Sequence, residues 1–293
     1  MLESILSLFL LQAPESIAAS ASRYDNIVVQ MEQLAKSNSA QVQMFTLGTN
    51  DQGLPIKGLK IGNGATNSLV VATHHGNEYG STEVGIAFAN YLAKAPIKDQ
   101  TVWVIPVLNI SGYNTNLREE KNAKESLDAN RDYPGPCVYN KTFQLRSTSS
   151  LAQFLVDKNI VISATLHTYS AMVVYPWGIS THDLSTPYDN DYKKLVSAAT
   201  VESGYQTGNN TELLYPADGT FEDYAYWKHG IWSLLFELGF SHNPDPQAVL
   251  NMVNSNNPGI KRFLEAAPKQ RVTAHDFKGK CELYKSRQRI FLE

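Results

Sequence analysis

The chain has 293 residues, 43% of them hydrophobic and 18% charged, with a formal net charge of −3. Such a length buries roughly three quarters of its unfolded surface as one large α/β domain or two small ones. The near-neutral balance excludes the basic field that nucleic acid or an acidic membrane surface would attract, and no run of about 18 uninterrupted apolar residues is present to form an integral membrane segment. Cys137 and Cys281 are too few for a disulfide scaffold, and one bridge or two free thiols are equally compatible with them.

The elements follow in chain order. Residues 1–22 contain a short apolar run, Ile5 to Leu11, then the small-residue stretch "APESIAASAS", with Glu3 where a signal peptide would carry a basic residue. This segment is read as a signal peptide or a flexible N-terminal piece, which leans toward a secreted or periplasmic protein, with the cytoplasm as the alternative. Apolar spacing predicts a helix over 24–37, then two strands, "VQMFTLG" and "LPIKGLKIG", around the turn "TNDQG". A buried strand over 67–75 runs into His75, and an amphipathic helix over 81–94 follows. Further strands are expected at 101–109, 160–170 and 231–240, and helices at 150–159, 189–203 and 220–230. Strands alternating with helices indicate one α/β domain over 23–267, a mixed, mostly parallel β-sheet with helices on both faces. Residues 268–293 form a locally basic extension, read as a solvated tail or an edge hairpin.

Several acids and imidazoles fall at strand ends, where open α/β sheets place their sites. His75 and Glu78 share one turn after a strand, and His167 ends another. A hydrolytic zinc site takes three protein ligands and keeps a fourth position open. Singly, each residue has a plainer reading: a strand-end His is usually a hydrogen-bonded structural residue, and a Glu opening a helix complements the helix dipole.

The rest of the chain decides between them. The His-x-x-Glu of His75 and Glu78, "SLDANRDYPG" with Asn130 and Arg131, the uninterrupted "HTYSAMVVYPWG" from His167, "ELLYPADGTFEDYAY" with Tyr215, and "LLFELG" with Glu237 occur in that order over about residues 23–265. Together they resemble the zinc carboxypeptidases of the carboxypeptidase A type. The resemblance implies one zinc ion per chain held by His75, Glu78 and His167. It implies Glu237 as general base and acid and Arg118 as the oxyanion's positive partner. Asn130, Arg131 and Tyr215 would be the groups that take a substrate's terminal carboxylate, and Asp128 would orient His75 from the second shell of contacts. The implied substrates are the C-termini of peptides or proteins.

The chemistry asks for these residue types independently. Water needs a lowered pKa to attack a peptide carbonyl, a carboxylate must carry its proton to the leaving nitrogen, and a planar guanidinium suits a carboxylate. His74, His182, His229, His242 and His275 lack ligand spacing and are read as structural or solvated.

Asn77 stands where digestive family members carry an arginine, so contacts far from the scissile bond should differ. Latency by a folded prosegment is not expected from the residues ahead of the domain. Aligned from Tyr215, Glu222 falls at the base of the pocket for the C-terminal side chain, with Asn210 and Thr220 near the rim and Leu235 on the last strand. A buried carboxylate there asks for a cationic substrate side chain. The alternative leaves Glu222 as an exposed helix-opening acid, with Asp223 or Phe221 turned inward. Two other substrates compete: a muropeptide cut between γ-D-glutamate and diaminopimelate, and small N-acyl amino acids cut by a deacylase. A dead binding module is disfavoured by the complete set of ligands with Glu237 and Arg118.

Overall fold

The first helix, α1 (Arg23–Ser37), begins at Ser22, whose hydroxyl accepts from the Asp25 N–H while the Asp25 carboxylate accepts from the Ser22 N–H. That reciprocal cap satisfies two donors the helix end would otherwise orphan, and Tyr24, Ile27 and Met31 on one face are buried. A computed structural model describes residues 21–138, 140–179, 185–273, 276–279 and 281.

After α1 come β1 (Val42–Thr49), β2 (Pro55–Ile61), β3 (Thr66–Ala72), α2 (Tyr79–Lys94), β4 (Gln100–Ile105), α3 (Ile110–Thr115), β5 (Glu120–Lys121) and β6 (Ser126–Leu127). Then follow α4 (Arg146–Asp157), β7 (Ile160–His167), β8 (Met172–Tyr175), α5 (Asp189–Ala199), β9 (Gln206–Asn209), α6 (Asn210–Leu213), α7 (Phe221–His229), β10 (Trp232–Glu237) and α8 (Pro246–Ala266). Eight strands form one sheet in the order β1-β2-β4-β3-β7-β10-β8-β9. Its centre, β4-β3-β7-β10, is parallel throughout. The β1–β2 hairpin adds to it antiparallel on one side and β8 on the other. This is the mixed, mostly parallel α/β sheet the alternation predicts.

The β1–β2 turn is held by Asn50, whose side-chain oxygen accepts from Gln52 and Leu54 N–H at 3.0 and 2.9 Å. On the central strands every residue of β4 and β7 is buried, as expected for strands covered on both faces. Gly85 of α2 lies against Ala72 and Leu166, whereas Glu222 of α7 bonds Thr165. Successive strand residues face opposite ways, so α2 and α7 cover opposite faces of β7.

Several elements differ from expectation. The strand expected to run into His75 stops at Ala72, because Thr73 takes a positive φ of 62° and the chain turns. β8 and β9 are too short to show a period. α8 was not legible because Pro258 lies inside it, a residue that usually ends a helical pattern.

The described part of the basic extension packs on the domain, which corrects the reading of a solvated tail or hairpin for those residues. Arg271 donates to the carbonyls of Ile160 and Leu155 at 2.9 and 3.0 Å. Phe277 sits edge-on to Trp177 with centroids 5.2 Å apart. Cys137 and Cys281 form a disulfide across 144 residues, so of the two options left open by the sequence the bridge is the one formed.

One buried acid bears on stability. Glu120 of β5 is fully buried; the Ser147 hydroxyl donates to one oxygen, and the other has no partner among the described residues. Burial pushes its carboxyl from 4.5 up to about 8. The folded state therefore keeps a proton that the unfolded chain releases at lower pH. This contribution is greatest below 4.5 and is lost as pH rises toward 8. The loss approaches roughly 5 kcal/mol at about 1.4 kcal/mol per pH unit. Glu120→Gln keeps the polar contact and removes the ionisation, so its Tm at pH 9 should exceed the parent's by roughly 10 °C, with little difference at pH 5. Parallel Tm-against-pH curves for the two proteins would rule this out.

Candidate active site

The turn after β3 brings its side chains together by local necessity. Thr73 is anchored by its hydroxyl to Thr82 at 2.6 Å and to the Pro106 carbonyl at 2.9 Å. A Cβ on Gly76 would lie 2.1 Å from the Gly112 carbonyl carbon, so only glycine lets the turn pass α3. Glu78 occupies the N-cap position of α2 without capping it by its side chain. Its carboxylate turns instead to two imidazoles, with Oε1 2.7 Å from His75 Nδ1 and Oε2 3.0 Å from His167 Nδ1. The three side chains offer ligand atoms all within 4.8 Å of one another, and all are buried. Burial opposes the ionised form of Glu78, but the neighbouring His75 and His167 overcome it and hold its carboxyl well below the usual range.

The set fits zinc on its own chemistry. Asp128 Oδ1 lies 3.0 Å from His75 Nε2, an acceptor-only partner that fixes the proton on that nitrogen. Nδ1 then faces the Glu78 oxygen lone pair to lone pair, an arrangement that needs a cation or a proton between them. Two imidazoles and one carboxylate form the donor set that zinc takes in hydrolytic sites. Asp128 Oδ2 in turn accepts from Arg118 Nε and NH2 at 3.1 and 3.0 Å, and Arg118 NH1 reaches within 3.7 Å of Glu78 Oε1. One carboxylate thus holds both His75 and Arg118.

Glu237 ends β10 in register with His167 on β7. Its Oε2 is buried without a partner among the described residues. Burial first, and the Glu78 charge second, push its carboxyl from 4.5 up to about 8.

Asn130 and Arg131 lie in the helical turn Ala129–Arg131, capped by Asp128, which accepts from the Asn130 N–H at 2.9 Å. The Asn130 side-chain oxygen accepts from the Phe221 N–H at 2.9 Å, which leaves its NH2 for other acceptors. Arg131 NH2 donates to the Tyr215 hydroxyl at 3.0 Å, and Tyr215 is 53% exposed. One cleft brings these groups together: it is lined by His75, His167 and Glu237, by Asn130, Arg131 and Tyr215, and by Asn210, Leu214, Ala217, Thr220 and Leu235.

Glu222 is buried, not exposed, so the alternative that placed it outside as a helix-opening acid is corrected. It accepts from the Thr165 hydroxyl, and its Oε2 has no partner among the described residues. Thr165 pairs in register with Leu235, which lines the cleft, so Glu222 lies next to that wall. Asp223 is buried as well, its carboxylate accepting from the Gly178 N–H at 3.0 and 3.1 Å. Thr165 was missed from the sequence, although its place two residues before His167 on one strand puts both on the same face.

His74 is not part of the His75–Glu78–His167 cluster. Its Nε2 lies 3.1 Å from the Tyr133 hydroxyl and its ring stacks on His167 with centroids 5.6 Å apart. His182 and His275 lie outside the described residues.

Comparison with known proteins agrees with this geometry. The family model described as zinc carboxypeptidase matches residues 27–258. Human carboxypeptidase B is 24% identical over 270 residues, covering 74% of this chain and 62% of that protein. Carboxypeptidase SOL1 of Arabidopsis thaliana is 24% identical over 258 residues, covering 76% of this chain and 51% of the relative. The chain therefore spans about half to three fifths of the length of these relatives. Among solved structures, bovine thrombin-activatable fibrinolysis inhibitor matches with a TM-score of 0.73 at 19% identity, covering 82% of this chain and 94% of that one. Carboxypeptidase A from Helicoverpa armigera matches at 0.74 and 17% identity, covering 83% and 72%. At these identities the structures establish the fold alone.

Proposed function

The chain belongs to the zinc carboxypeptidase family, and on that premise we propose that it is a zinc-dependent metallocarboxypeptidase that removes C-terminal residues with a preference for Lys and Arg. The observation that carries this reading is the cleft that gathers His75, His167 and Glu237 with Arg131 and Tyr215, and whose wall residue Leu235 pairs with the Thr165 bonded to Glu222. The catalytic domain would span 23–267. The Cys137–Cys281 bridge favours an oxidising setting, outside the cell or in the periplasm.

Zinc held by His75, Glu78 and His167 would act as a Lewis acid on the scissile carbonyl and would lower the pKa of water beside it. Asp128 keeps His75 in the ligating tautomer. Glu237 takes the proton from the attacking water as the new C–O bond forms. It then delivers that proton to the departing nitrogen as the C–N bond breaks, a role suited to a carboxyl pushed toward neutral pH. Arg118 supplies fixed positive charge to the oxyanion. Arg131, the Asn130 amide and the Tyr215 hydroxyl take the terminal carboxylate, which confines cleavage to the chain end. Glu222 would pair with a cationic side chain that reaches it, since a buried carboxylate with an open oxygen is costly until a cation meets it.

Zinc-loaded protein should release Lys and Arg fastest from peptides ending in Lys, Arg, Phe or Glu, and should leave the C-amidated controls intact. Release led by Phe would keep the peptidase and remove the Glu222 pocket. Failure on all four, with cleavage of a muropeptide ending in diaminopimelate, would replace this substrate class with that one.

A further inference from the structure

The two groups assigned to the terminal carboxylate, Arg131 and Tyr215, are both fastened to the segment of chain that follows Arg131. Lys141 donates from Nζ to the main-chain carbonyl of Arg131. Gly219 also lies close to that carbonyl, where a Cβ would lie 2.8 Å from the oxygen. The Tyr133 N–H donates to the Gly219 carbonyl at 3.1 Å. Asp218, three residues after Tyr215, accepts from the Gly219 N–H at 2.8 Å. Asp218 Oδ1 occupies the space a Cβ on Gly135 would need, at 1.9 Å.

The far end of the segment is closed by Asp132, whose carboxylate accepts from the Gln144 and Leu145 N–H groups. Between those ends, Cys137 and Lys141 are half-buried and Val138 and Asn140 exposed. The covalent fastening there is the bond to Cys281. Residue 281 follows Phe277, which rests on Trp177, and Val272, whose N–H donates to the Gly230 carbonyl at 2.8 Å. Val272, Phe277 and Cys281 thus tie the domain body to the segment bearing on Arg131 and Tyr215.

We infer that Lys141 and the Cys137–Cys281 bridge are positioning elements for recognition of the substrate's terminal carboxylate, setting the Arg131 main chain and the Tyr215 segment in place without touching substrate. This rests on the carboxypeptidase reading given above. The bridge and the lysine act on one half of the cleft. The His75–Glu78–His167 cluster is held by Asp128 and the turn after β3, with Asp128 also capping the turn that carries Arg131.

Two thiol inhibitors that differ only in a free carboxylate against a carboxamide separate these halves. Zinc-loaded wild-type protein should favour the carboxylate form by roughly a hundredfold. Cys137→Ser/Cys281→Ser and Lys141→Met should each lower that ratio about tenfold, the order of one lost hydrogen bond to a charged site, while the carboxamide binds as before. Lys141→Arg, which keeps a donor, should recover most of the ratio. Variants with the wild-type ratio, or with both inhibitors weakened equally, overturn the inference and leave the enzyme assignment standing. A wild-type protein that binds both inhibitors alike removes the carboxypeptidase reading and the inference with it. Should the double serine variant fail to fold, Lys141→Met decides, since it leaves the bridge intact.

Discussion

Glu237→Gln should lower kcat by about 10²- to 10⁴-fold, the range expected when a positioned acid–base group is lost, with KM and zinc content nearly unchanged. The substitution preserves the shape of the side chain and its place opposite His167 in the sheet register. What it removes is the capacity to hold a proton and pass it on. A loss confined to kcat marks an interaction made only in the transition state. Steady-state kinetics on a peptide ending in Lys, with metal content measured alongside, would check this. A variant that kept its kcat and lost affinity would show that Glu237 binds substrate and that the proton is carried elsewhere.

Glu222→Gln should collapse the preference for basic over aromatic C-termini by about a hundredfold in the ratio of kcat/KM values, because a substrate cation would then enter a buried site without its counter-charge. The amide retains a partner for the Thr165 hydroxyl, so the fold around it is kept. Folding should become no harder, since an open carboxylate oxygen is replaced by a neutral group. The test is a side-by-side series of Lys, Arg and Phe peptides on both proteins. An unchanged Lys-to-Phe ratio would take Glu222 out of specificity and return it to the core as a structural acid bonded to Thr165.

Much of this site could be read before any coordinates. His75 and Glu78 share a turn, and His167 and Glu237 lie at or near strand ends by their apolar pattern, while the family resemblance is what gathers them into one site. The adjacency of His167 and Glu237 depends on β7 and β10 pairing in parallel, a contact between residues far apart in sequence. The role of Asp128 as common anchor for His75 and Arg118 was half legible: the resemblance suggested its bond to His75, whereas the Arg118 contact needs the turn before residue 128 to fold back. Thr165 was hidden because a threonine in a buried strand is ordinary until its neighbour across the helix proves to be a carboxylate. α8 escaped because Pro258 interrupts its pattern, although a 21-residue helix survives around it. Nor could two cysteines 144 residues apart reveal that they meet, since pairing depends on where the last segment docks.

The covalent link between Cys137 and Cys281 also changes what a single proteolytic cut would look like. The stretch it encloses carries His167, Tyr215 and Glu237. A cleavage anywhere within it, including the exposed Tyr215 segment, would leave the two pieces joined. Such a nicked molecule would migrate as an intact chain on a non-reducing gel and come apart only once the sulfurs are reduced, so purity judged without reductant would overstate the amount of unbroken enzyme.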